Sequence, residues 1–66
     1  MTILVNGEAK LVRAGTSLDE LLDILNLPKV GVAAALDAEV VHRRMWPETI
    51  LTEGHKVEIL TIAQGG

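Results

Sequence analysis

Ser17 and Glu20 stand three residues apart at the head of Leu18, Leu21, Leu22 and Leu25, the one clear helical stripe in the chain. In such a capping box each side chain accepts the other residue's backbone N–H, so a helix is expected to start here. The four leucines fall at i, i+3, i+4 and i+7, a single apolar face, while Asp19, Glu20 and Asp23 take the solvent side near the positive end of the dipole. Asn26 can supply a left-handed cap, and Pro28 forbids continuation. A chain of 66 residues without cysteine cannot be stapled, and at this size only about 60% of the unfolded surface is buried on folding. Every apolar residue in a repeating pattern is therefore expected to pack, and there is little room for a catalytic cleft.

The surface that covers those leucines is expected to be a sheet. Thr2 to Asn6 alternates, with Ile3 and Val5 on one face and Leu4 on the other, and runs into Asn6-Gly7. That dipeptide signals a hairpin, because both central positions of a type I′ turn need positive φ. Glu8 to Val12 is the returning strand, with Ala9 and Leu11 on one face and Lys10 and Val12 on the other. Val30 to Leu36 reads as a short buried strand, Asp37-Ala38 as a turn, and Glu39 to His42 as a fourth strand. From Arg43 to Thr52 the pattern is irregular, and Pro47 excludes an extended ladder. This stretch is expected to be a loop anchored by Met45, Trp46, Ile50 and Leu51. Glu53-Gly54 is a turn, and Lys56 to Ile62 alternates as the last strand, with Val57 and Ile59 opposite Glu58, Leu60 and Ile62. The expected class is α+β: a mixed sheet of about five strands packed on one main helix, forming one domain over residues 1–66.

Charge and composition exclude several functions. Nine acidic and six basic residues give a net charge of −3, and Trp46 is the only aromatic residue. A nucleic-acid face needs clustered cations with stacking partners, so no nucleic-acid partner is expected. The longest apolar run, Val30 to Leu36, falls far short of the roughly 20 residues of a membrane span. The first residues lack the basic segment and long apolar run of a signal peptide. A cytoplasmic protein, without a membrane partner and monomeric on its own, is the expectation.

No set of side chains points to catalysis. His42 and His55 are far apart in sequence, with neither cysteine nor an i+4 histidine to complete a metal site, so no metal is expected. Glu20 is explained by capping, and Thr16 and Ser17 have no base at hand. What remains is Ile62-Ala63-Gln64-Gly65-Gly66, side chains that shrink toward a terminal carboxylate. A diglycine end can thread a narrow channel and be approached from either side, because it lacks Cβ atoms.

The diglycine, the α+β roll, the run Leu36 to Trp46 and the run Leu51 to Ile59 together resemble the ThiS family of sulfur carriers. The most specific features are Arg43 followed by Trp46, the Glu53-Gly54 turn leading into Val57-Glu58-Ile59, and Gly65-Gly66. The family commonly has Asn-Gly in place of Asp37-Ala38, Pro in place of His42 and Asp in place of His55. MoaD-type carriers share the leucine helix, the Gly54 turn and the diglycine, but usually lack the Arg-x-x-Trp pattern and are usually longer.

The resemblance implies a ubiquitin-like β-grasp with a flexible tail at residues 63–66. It also implies a protein cosubstrate rather than an enzyme. The Gly66 carboxylate would be adenylated by a ThiF-like enzyme and converted to a thiocarboxylate, then pass its sulfur to a ThiG-like thiazole synthase in thiamin biosynthesis. ATP and Mg²⁺ would belong to the activating partner, with no cofactor bound by this chain. Gly65 and Gln64 would form the tail that enters the partner, and Leu4, Leu60 and Ile62, projecting from the outer face of the sheet, would form the partner interface. Sulfur transfer to molybdopterin or tRNA, ubiquitin-like attachment to lysines, and a binding module with an inert tail are the alternatives. The roles of Arg43, His42 and His55 are left open by the sequence.

Overall fold

The computed structural model describes residues 1–62. In chain order it contains β1 (Thr2–Val5), β2 (Glu8–Leu11), α1 (Leu18–Ile24), β3 (Val32–Leu36), β4 (Glu39–Val41), a 3₁₀ helix (Arg43–Glu48) and β5 (Lys56–Thr61). The five strands make one mixed sheet in the order β2-β1-β5-β3-β4. β5 thus lies at the centre, parallel to β1 and antiparallel to β3.

Local chemistry accounts for the elements. Asn6 and Gly7 take φ of 49° and 85°, the double positive φ of the hairpin turn. The capping box closes, with Glu20 N donating to Ser17 Oγ at 3.1 Å and Ser17 N to Glu20 Oε1 at 2.9 Å. The helix stops at a left-handed Asn26 with φ 58°. Leu18, Leu21 and Leu22 are fully buried against Ile3, Val5, Ala34, Val57 and Ile59 of the sheet. Leu25 packs partly buried at the margin of this core.

Two expectations about the segment after β4 are corrected. Arg43–Glu48 is a 3₁₀ helix rather than an irregular loop. Pro47 is the fifth of its six residues and removes one donor, while Met45 N–H still donates to His42 O at 2.8 Å and Thr49 N–H to Trp46 O at 3.2 Å. Its anchors are Trp46 and Leu51, each 1% exposed, whereas Met45 and Ile50 are 43% and 50% exposed. Trp46 Nε1–H donates to the Val41 carbonyl at 2.9 Å, so the indole is buried with its polar atom satisfied. Leu18 N donates to Thr49 O and Leu51 N to Thr16 O, which ties residues 49–51 to the start of α1. The strand expected from Val30 begins only at Val32, because Gly31 takes φ 80° and Val30 points into solvent.

Side chains also extend two ladders to β5. Beyond the end of β1, the Asn6 carboxamide pairs with the backbone of Ile59, accepting at 2.9 Å and donating at 3.3 Å. Beyond the end of β3, Asp37 Oδ1 accepts from Lys56 N at 2.9 Å. Both residues occupy the first position of a double positive-φ turn, for the second turn is Asp37 at 49° and Ala38 at 72°.

Candidate functional site

The candidate site is the end of β5, from which the chain continues to the diglycine. The backbone N–H of Ile62 donates to the Gly31 carbonyl at 2.8 Å, the last bond among the described residues that ties this end of the chain toward β3. On the opposite edge β1 has ended at Val5, and the Asn6 side chain satisfies Ile59 in its place. The expected sulfur-bearing residue Gly66 and the tail residues Gly65 and Gln64 lie outside the described residues.

The register sorts the three residues expected at the partner interface. Val57 and Ile59 are buried toward α1, so Lys56, Glu58, Leu60 and Ile62 occupy the other side of β5. Leu60 is 66% and Ile62 49% exposed. Leu4 shares their face but pairs with Lys56, four residues before Leu60, or about 13 Å along the strand. Lys56 and Glu58 stand in that interval, and Leu4 is only partly exposed. The structure therefore groups Leu60 with Ile62 and sets Leu4 apart, beside an open depression lined also by Asp37, Ala38 and Lys56.

One residue joins the outer face that the sequence reading did not select. Val40 is 80% exposed and pairs with Ala35, which pairs in turn with Glu58. Its partner in the dipeptide, Val41, pairs with buried Ala34 and packs inward. The alternation of Val40 and Val41 carried that signal, but which face was inward depended on the pairing with β3.

The two histidines have local tasks. His42 Nδ1 accepts from Arg44 N at 3.4 Å and caps the 3₁₀ helix. His55 Nδ1 accepts from Thr52 N at 2.9 Å, and its Nε2 lies 3.8 Å from Asp37 Oδ2. Among the described residues no group of three or more His, Asp or Glu side chains could hold a metal ion. No helix among them is long and apolar enough to cross a membrane.

Cations cluster instead around the loop that receives Ile62. Lys29 Nζ lies 3.0 Å from carboxylate oxygens of both Asp19 and Asp23. Hydrogen bonds from the ammonium to Asp23, and then to Asp19, raise its pKa above the ordinary lysine value. Arg43 Nη1 donates to the Lys29 carbonyl at 3.1 Å. Chemically, the described residues offer a rigid sheet end with an apolar surface and a firmly held exit strand, and no acid–base or nucleophilic group converges on it.

Known proteins share this arrangement. The ThiS family model matches residues 3–66. The chain is similar to the Sulfur carrier protein ThiS of Escherichia coli (strain K12), with 32% identity over 66 residues that cover 100% of both chains. Among solved structures, the crystal structure of the thiamine biosynthesis protein (ThiS) from Geobacter metallireducens superimposes with a TM-score of 0.87 at 30% identity, covering 100% of each chain. The solution NMR structure of a thiamine biosynthesis protein from the same organism gives a TM-score of 0.79 at 30% identity, over 100% of this chain and 88% of that one. The five-stranded mixed sheet on one main helix is the ubiquitin-like β-grasp that the resemblance implied.

Proposed function

The chain belongs to the ThiS family, and from that premise we propose that it is a sulfur carrier of thiamine biosynthesis whose reactive group is the Gly66 carboxylate. The observation that carries this reading is the end-to-end match to the Escherichia coli sulfur carrier, combined with Gly65-Gly66 at the end of the sequence.

The chemistry follows from what a carboxylate lacks. A carboxylate is a poor electrophile, so a ThiF-like partner first attacks ATP with it. A Gly66 acyl–phosphate bond forms, pyrophosphate leaves, and Mg²⁺ on the partner balances the phosphate charge. Hydrosulfide then adds to the activated carbonyl, the bond to phosphate breaks, AMP leaves, and loss of the proton gives a thiocarboxylate. A ThiG-like thiazole synthase takes the sulfur. The cargo rides on the backbone terminus, which accounts for a sulfur carrier with no cysteine.

This chain acts as cosubstrate, and its fold supplies recognition. Leu60 and Ile62 present apolar surface immediately before the tail, so a partner that grips them holds the chain next to its tail. Leu4, set apart along β1, lies at the margin of that contact.

The test is ATP–pyrophosphate exchange with the adenylating partner. Deleting Gly66, or adding one residue after it, abolishes exchange and leaves the unfolding midpoint unchanged. Normal exchange by the extended variant overturns the assignment of Gly66.

A further inference from the structure

Ile62 directly follows the end of β5, and its N–H donates to the Gly31 carbonyl at 2.8 Å. Gly31 is not itself in a strand. It precedes β3, has φ 80°, and follows the solvent-exposed Val30. On its C-terminal side Val32 is held by pairing with Thr61, and its N-terminal side needs a hold of its own.

The holding point is two residues earlier. The side chain of Lys29 is bound to Asp19 and Asp23 on α1, while its backbone carbonyl accepts from Arg43 of the 3₁₀ helix. The loop is thus gripped from the helix by one group and from the 3₁₀ helix by another. The 3₁₀ helix is itself fixed by buried Trp46, through the indole bond to the Val41 carbonyl. A continuous series of contacts runs from the core through Trp46, Arg43, Lys29 and Gly31 to Ile62. Among the described residues β1 pairs with β5 only at Lys56 and Val57, so the end of β5 rests on the β3 side, on the Val32–Thr61 pair and on this series beyond it.

We propose that Arg43 is a positioning residue for the reactive terminus: by holding the Lys29 carbonyl it fixes the 29–31 loop, and through Gly31 it fixes the exit of the chain at Ile62. An arginine suits this role, because its planar, permanently charged fork donates strongly to a carbonyl and loses little freedom per bond formed. The inference rests on the proposed function where it concerns reaction at Gly66, but its structural half can be measured without any partner.

The test compares Arg43→Met with wild type by amide hydrogen exchange and by steady-state adenylation. Loss of one charge-assisted bond is expected to raise local opening at Ile62 about tenfold, with the Ile59 amide and the unfolding midpoint unchanged. With the partner, kcat falls while KM holds, since Leu60 and Ile62 remain in place, and Arg43→Lys restores part of both effects. If Arg43→Met does not fold, Lys29→Met, which frees the loop from α1, is expected to raise Ile62 exchange in its place. Unchanged Ile62 exchange overturns the proposal, as does faster exchange with unchanged kcat. Wild-type protein that is not adenylated at all overturns the functional reading and this inference with it, whereas an active wild type matched by an equally active Arg43→Met overturns this inference alone.

Discussion

Asn6 combines two tasks that substitution can separate. Its backbone occupies the left-handed region at φ 49°, and its carboxamide makes two hydrogen bonds to the backbone of Ile59. Glycine accepts the backbone conformation and removes the amide. Each intramolecular hydrogen bond contributes about 0.5–1.5 kcal/mol net, so losing both makes Asn6→Gly cost about 1–3 kcal/mol. Alanine loses the same bonds and adds a Cβ at positive φ, a further cost of about 1 kcal/mol, for a total of about 2–4 kcal/mol. In a domain of this size each kcal/mol lowers Tm by about 4–8 °C. Urea and thermal unfolding followed by the fluorescence of Trp46, the only tryptophan and 1% exposed, give both values. Asn6→Gly as stable as wild type would show that the carboxamide does not support β5. Equal costs for glycine and alanine would show that the turn does not require positive φ.

Other expectations follow from single features. Ala38 holds φ 72° with a side chain, so Ala38→Gly is expected to raise stability by about 0.5–1 kcal/mol, read from the urea midpoint. Lys29 has a raised pKa in the folded protein. Its contribution is therefore complete below the unfolded lysine value and lost as pH rises through the higher folded value, so wild type and Lys29→Met are expected to converge in stability at strongly alkaline pH. Divergence there would contradict the pairing with Asp23 and Asp19. Leu60→Glu and Ile62→Glu are expected to weaken binding of the adenylating partner at least about tenfold by calorimetry, with unfolding changed by no more than about 0.5 kcal/mol. Unchanged affinity would remove the apolar patch from the interface.

The elements that could be read from sequence are those whose signals are local. Asn6-Gly7, the Ser17–Glu20 box, Asn26 with Pro28, and the alternation of Lys56 to Ile62 each specify a conformation within a few residues. The 3₁₀ helix escaped because its six residues are too short for a period and contain Pro47, which argues against helix in most settings. Met45 and Ile50 looked like anchors by hydrophobicity alone, while the burial of Trp46 and Leu51 depends on contacts with α1 and β4. The separation of Leu4 from Leu60 and Ile62 depends on the parallel register of β1 with β5, between segments more than fifty residues apart. The tie from Arg43 to Lys29 is a side-chain bond to a backbone carbonyl fourteen residues away, which has no sequence period to reveal it. The diglycine was legible as a motif, and the resemblance gave it a chemistry.

That chemistry is tested most directly by the intact mass of the protein after incubation with the adenylating partner, ATP, Mg²⁺ and a sulfur source. The account predicts replacement of one oxygen by sulfur, localised by fragmentation to Gly66. Unchanged mass, with the same mixture active on the Escherichia coli sulfur carrier, would contradict it, and so would Gly66 recovered in isopeptide linkage to lysines.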